Sequence, residues 1–254
     1  WGFVLIVHQE STSASIDDVV LNLDSNSDVT SGNDGVRIRG VNNDLDIDND
    51  GDIAGLQNDQ TRAGYGLRVS EFWTEGDTRT ETSVGGDLTL TNNGSVNGQA
   101  GDVLIEQVRG QTTVTNAGTI GTNGTATPIA LEISDVGNDT TSNDAVVIDN
   151  DAGTIEGERA IVISGVQSTA DEEGTGDVRI INQNGGEIFG QGDAAIHIDT
   201  SGGLGVADDV RIYNRDESII RGQSSVDDRG HGIDVDSLGG NFFLENDGTL
   251  EGSN

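Results

Sequence analysis

The sequence contains no cysteine and no methionine, a single proline, and only 4% aromatic residues. It also has no lysine: all 12 basic residues are arginines. Without cysteine there is no disulfide, thiol nucleophile or thiolate metal site, so packing and backbone pairing alone must hold the fold. With lysine and methionine absent and leucine scarce, strong helix formers are few, while 38 glycines favour many turns. The composition is that of a β-rich chain. The opening run, WGFVLIV, is too short to span a bilayer. It also has neither the preceding basic residues nor the following small-residue cleavage site of a signal peptide. Residues 1–16 are therefore expected to form a first strand or cap. Starting at Trp1 and containing no methionine, the sequence is expected to be a processed product or part of a longer chain.

Positive charge is equally scarce. The 12 arginines face 45 acidic residues, a net charge of -33. Nucleic acid and anionic membranes would be repelled, which excludes both as direct partners. Cations are the natural counter-partners, and a solvated surface adapted to salty surroundings explains the same excess.

What the sequence does contain is a repeat. The frame L-x-I-x-N-x-G-x-I-x-G, at Leu45, Ile47, Asn49, Gly51, Ile53 and Gly55, returns around Asn92, Asn116, Asn150, Asn182, Asn214 and Asn246. A weaker copy, LNLDSNSDVTSG, places Ser25 in the asparagine slot. Successive slots are 24, 43, 24, 34, 32, 32 and 32 residues apart. Downstream in each unit lies a second frame: Val36-Arg-Ile38, Leu67-Arg-Val69, Leu104-Ile105, Leu131-Glu-Ile133, Ile161-Val-Ile163, Ile196-His-Ile198 and Ile233-Asp-Val235. Six of the seven have an apolar residue three places later, at Val41, Phe72, Val108, Val136, Val166 and Leu238.

Each unit thus offers three short strands with period-2 alternation and Gly-rich corners. One such unit cannot bury its own apolar face, but stacked units share a core. The expected fold is all-β, a right-handed single-stranded parallel β-helix over residues 17–254, with about eight coils of 24–43 residues. Inward Leu, Ile and Val should stack in columns, each burial contributing roughly 1.5–3 kcal/mol before chain entropy. The recurrent asparagine is placed to hydrogen-bond from coil to coil as a ladder.

This repeat bears on DLDIDNDGD at residues 44–52, where Asp46, Asp48, Asp50 and Gly51 fall on positions 1, 3, 5 and 6 of an EF-hand loop. The frame residues are those of the other coils, position 12 is Gln57 rather than Glu, and no amphipathic helix flanks the stretch. The remaining cation reading is a surface calcium site on Asp44, Asp46, Asp48 and Asp50. A single GGLGVADD at 202–209 resembles a β-roll calcium nonapeptide but occurs once, so it reads as a turn.

Enzyme signatures are weak. Asp227-Asp228 and Gly230-His231-Gly232 resemble pieces of the polygalacturonase pattern, but with the wrong spacing and no following basic strand. The arginines show no concentration suited to a lyase base. His8, His197 and His231 are too scattered along the chain to mark a zinc site. Longer links between the third strand of one coil and the first of the next, notably those after Phe72, Val136 and Val166, are expected to emerge along one edge of the rod. Trp73 is the candidate ligand-contacting residue there, with Phe72 pointing inward.

The phrases NAGTIG, NDAGTIEG and ENDGTLEG, each followed by an AI.I-type strand, resemble the repeats of bacterial autotransporter passenger domains and related large β-helical surface proteins. The resemblance covers Val19 to Gly252 and implies export across an outer membrane and display outside the cell. The family's C-terminal membrane barrel is not in this sequence, whose last repeat stops at Asn254 within a coil. Two functions follow as expectations. One is a non-enzymatic extracellular or cell-surface rod for adhesion or assembly, with glycans, other cells or further copies of itself as partners and calcium as its candidate ion. The other is a polysaccharide-cleaving enzyme using loop carboxylates such as Asp171, Glu172 or Asp227.

Overall fold

The computed structural model describes residues 17–56, 64–70, 83–121, 128–138, 144–168, 176–199, 206, 208–224 and 230–253. The expected cap at 1–16 lies outside them. Alternation of apolar and polar residues sets the facing of each strand, so that Leu45–Asn49 is buried, exposed, buried, exposed, buried. The strands form three long parallel sheets, besides one two-stranded pair. The first has eight, from Val19–Leu23 to Phe242–Asn246; the second has eight, from Asp28–Ser31 to Thr249–Gly252; the third has seven, from Val36–Ile38 to Ile233–Val235. Within each sheet the strands follow one another in chain order, so the chain winds as a parallel β-helix with three strands per coil.

Register is kept from coil to coil, and like residues therefore stack. Ile47, Leu90, Val114, Ile148, Ile180 and Ile212 form one inward column of the first sheet. Ile53, Val96, Ile120, Ile155, Ile188 and Ile220 form the column of the second. All belong to one continuous core. Thr112 interrupts a neighbouring column between Leu88 and Val146. It is fully buried, and its hydroxyl has no hydrogen-bond partner. Thr112→Val keeps the shape and removes an orphaned polar atom, so it is expected to stabilise the protein by about 1 kcal/mol in urea denaturation.

The asparagine ladder is continuous. From Asn49 through Asn92, Asn116, Asn150, Asn182 and Asn214 to Asn246, each side-chain Nδ2 donates to the next coil's Oδ1 at 2.7–2.9 Å. The amide at each step also reaches the carbonyl of the first residue in the next coil's second strand, as Asn182 Nδ2 does to Ile219 O at 3.0 Å. At the frame's final glycine the second and third sheets meet almost in contact. A Cβ on Gly98 would lie 2.1 Å from the Gly101 carbonyl and 2.4 Å from the Gly66 nitrogen. Where the third strand turns directly into the valine column, the residue before the valine is left-handed: Gly40, Gln107, Asp135 and Gly165 have φ of 70°, 61°, 53° and 64°.

Four details differ from the sequence reading. In the first coil Leu23, not Ser25, stands opposite Asn49, because Val19 and Leu21 pair with Leu45 and Ile47. The turn there is two residues longer, and Asn49 Oδ1 faces a hydrocarbon neighbour and has no partner. Second, Val103 rather than Leu104 continues the inward column after Leu67, leaving Leu104 on the outer face. Third, the column of Val41 and Val108 is bridged by Val84, not by Phe72, which lies outside the described residues. Val206 likewise bridges to Leu238. Fourth, links leave the coil at more than one corner. Residues 57–63, 122–127 and 225–229 join second strands to third strands. The links after Val136 and Val166 begin side by side, where Gly137–Asn138 pairs with Gln167–Ser168.

Candidate functional site

The outward positions of the third sheet form two adjacent columns. One runs Arg37, Arg68, Leu104, Glu132, Val162, His197, Asp234. Beside it Ser134 stands between Glu106 and Ser164, with Asp199 next in register. The face is basic at the first coils, apolar and acidic in the middle, and acidic around one histidine at the far end. Outward residues are usually wet, yet Leu104, Val162 and Ser164 are only 3%, 4% and 6% exposed. Asp46 and Asp48, outward on the first sheet, are exposed. The third face is therefore sheltered, and charges on it interact through less water.

At its N-terminal end, Arg68 Nε donates to Ser70 Oγ at 2.6 Å, and its guanidinium lies 5.4 Å from the centre of the Tyr65 ring. Asp34 lies 3.8 Å from Arg37 and accepts the Tyr65 N–H at 3.0 Å. Burial pushes the Glu106 carboxyl above its ordinary range, with Arg68 opposing. Burial likewise raises Glu132, helped by the charge of Glu106, while Arg159 and Arg68 oppose. Tyr65 is raised by burial and then by Glu132. This is a pair of mutually repelling, partly desolvated acids beside a guanidinium and a phenol, an arrangement able to hold a proton at higher pH than free carboxylates.

A carboxyl raised in the fold contributes stability that is complete below its unfolded value and is lost as pH rises through the folded value. Glu132→Gln is therefore expected to raise the melting temperature at neutral pH and to leave it unchanged well below 4.5, the ordinary carboxyl value. Melting curves across pH, read by circular dichroism, check both arms.

The acidic strip at 44–50 does not converge. Asp46 and Asp48 project outward from one strand. Asp50 accepts from Asn93 Nδ2 at 2.8 Å. Asp44 Oδ1 accepts the N–H of Asp87 at 2.9 Å, and Asp87 Oδ1 that of Gln111 at 2.8 Å. Further along, Asp177 and Asp209 do the same for Asp209 and Asn241, at 3.0 and 2.7 Å. The Asn241 N–H holds the Asp209 carboxyl below its ordinary range. Asp44 thus belongs to a second coil-to-coil ladder that sequence reasoning missed. Its signal was present: an Asp, Asn or Gln stands directly before most first strands, as in NDL, GDL, GQT, GDV and GNF.

Among the described residues, two groups of side chains bring three ligating atoms within 4.8 Å of one another. In the first, Asp177, Asp208 and Asp209, a guanidinium already sits among the acids: Arg211 bonds Asp177, and its Nη2 lies 2.7 Å from Asp209 Oδ2. The second is His197, Asp199 and Asp236. Trp73, Asp171, Glu172 and Asp227 lie outside the described residues. His231 borders a concavity of about 560 Å³ with Ile233, Val235, Phe242, Leu244 and Leu250, residues of the last described coil. No helix among the described residues is long and apolar enough to cross a membrane. Comparison with protein-family models, curated proteins and solved structures finds no match to this chain.

Proposed function

We propose that this chain is a non-enzymatic β-helical rod, displayed at a bacterial cell surface or released outside it, that serves adhesion or structural assembly. The observation that supports this best is the register that the inward columns keep from coil to coil. Three sheets run in step from coil to coil, and the links of variable length fall between strands in the chain, as suits an extended scaffold that presents segments to glycans, cells or further copies of itself. The repeat phrases that resemble autotransporter passengers support the location.

Assembly would proceed through the outward acidic strips, among them Asp46 and Asp48. Net charge opposes lateral association unless cations screen it. Sedimentation velocity in millimolar calcium and then in chelator tests this. Calcium-dependent growth, weakened by Asp46→Asn with Asp48→Asn, would support assembly through acidic strips. An unchanged monomer in both would remove self-assembly and leave adhesion.

A second reading, glycan cleavage, draws on the raised carboxyls of Glu106 and Glu132 on the sheltered third face, while Asp171, Glu172 and Asp227 lie outside the described residues. Turnover of acidic or neutral polysaccharides by the purified chain, lost in Glu132→Gln, would replace the rod proposal with this one.

A further inference from the structure

His197 looked isolated in the sequence, but the parallel register brings three carboxylates to it. His197 pairs with Asp234 on the next coil, and Ile198 with Val235, so Asp199 and Asp236 follow in step. His197 Nδ1 lies 3.2 Å from Asp234 Oδ2, which holds the ring by that nitrogen. Nε2 is then turned to Asp199 Oδ2 and Asp236 Oδ2, each at 3.9 Å. That distance is too long for a hydrogen bond. It is close to the roughly 3.4 Å that separates two ligand atoms held at 2.0–2.2 Å by one tetrahedral ion. The three ligating atoms lie within 4.8 Å of one another, and rotamer adjustments of the two aspartates would bring them onto a common centre.

We propose that His197 Nε2, Asp199 and Asp236 bind a divalent transition-metal ion of the zinc class, with Asp234 as the positioning residue. Several features converge on this. Like charges placed opposite each other on paired strands repel, and the other acidic trio, around Asp177, is bridged by Arg211. Here the central group is an imidazole, which is a ligand for Zn²⁺, Co²⁺ or Mn²⁺ and a poor one for Ca²⁺ or Mg²⁺. An imidazole anchored through its second nitrogen by a carboxylate is the arrangement that orients metal-bound histidines. On the preceding coil the paired outward residues are Val162 and Ser164, both buried, so one wall of the site is dry. The Asp236 side chain is 53% exposed, which leaves the opposite side open to water or to a ligand atom from a partner. Three protein ligands and an open position distinguish such a site from a closed structural one.

The test is titration of the purified chain with Zn²⁺ by calorimetry, and with Co²⁺ by its visible absorption. Both are done at physiological salt with millimolar Mg²⁺ present to occupy diffuse acidic sites. One equivalent is expected to bind with ligand-field bands of a low-coordinate ion. His197→Ala should weaken that binding at least 100-fold, Asp199→Asn with Asp236→Asn should abolish it, and Asp234→Asn should weaken it about 10- to 100-fold. Asp28→Asn, at an exposed position in the first coil, should leave it unchanged. All these side chains face outward, so circular dichroism should report folded variants. Zinc binding that is equal in wild type and His197→Ala, or absent when Mg²⁺ is present, would overturn the proposal and leave the cluster a histidine ring held by its hydrogen bond to Asp234.

Discussion

Ile180→Asp and Ile148→Asp are each expected to unfold the coils around them, lowering stability by more than about 4 kcal/mol. Both side chains are fully buried in one column of the first sheet. Two costs add. Removing the isoleucine loses its burial and leaves a poorly filled space, on the order of 2–5 kcal/mol. Placing a carboxylate there takes it out of water with no cation in reach, because every neighbour in the column is aliphatic. Each coil is stabilised chiefly by its neighbours, so the damage should spread along the axis and appear as lost amide-exchange protection in the adjoining coils. Arg179 is the internal control. It sits next to Ile180 but points outward, is 41% exposed and pairs with Asp144 at 2.9 Å. Arg179→Asp should cost no more than about 1 kcal/mol. Equal effects at 179 and 180 in urea denaturation would show that the strand faces the other way.

Asn150→Ala should cost about 2–5 kcal/mol, far more than Asn246→Ala. Asn150 is fully buried near the middle of the ladder. It accepts from Asn116 at 2.8 Å, donates to Asn182 at 2.8 Å, and reaches the carbonyls of Gly153 and Glu187 at 2.9 and 3.3 Å. Truncating it strands Asn182 Oδ1, removes the ladder acceptor of Asn116 Nδ2, and opens a void where water has no route. Each buried polar atom left unmade costs roughly 1–3 kcal/mol, whereas a made hydrogen bond contributes only about 1 kcal/mol net. Asn246 ends the ladder in an exposed strand, so water can take over its partners. Comparable losses at 150 and 246 would mean that the ladder adds little beyond local turn geometry.

Most of the architecture was legible because its cause is periodic. Alternation assigns the inward face of Leu45, Ile47 and Asn49 without any knowledge of neighbours, and the repeat tells which residues will stack. Errors arose where the period breaks. Around Leu23 the choice between two frames depends on which alignment lets Val19 and Leu21 cover Leu45 and Ile47, a three-dimensional criterion. After Val69 the next apolar residue in the sequence was Phe72, but Val84 makes the bridges to Val41 and Val108. Apolar character nominates candidates for a column, and stacking geometry chooses among them.

The candidate sites divide in the same way. Asp44, Asp46, Asp48 and Asp50 stood out because they are close in sequence, yet along a strand alternate residues separate by roughly 6.6 Å and neighbours point to opposite faces. His197 was set aside with His8 and His231 as too scattered for a zinc site, because two of the carboxylates facing it, Asp234 and Asp236, come from the next coil, 37 and 39 positions downstream in the sequence.

From the sequence alone came the all-β class, the three-strand coil, the inward columns and the asparagine ladder, since each follows from side-chain period and local backbone chemistry. Only the tertiary structure decided register at the irregular coils, the sheltering of the third face that raises Glu106 and Glu132, and the gathering of Asp234 and Asp236 around His197. The physical reason is that periodicity is a property of one strand, whereas register, desolvation and convergence are set between coils, by backbone hydrogen bonds that pair residues far apart in the chain.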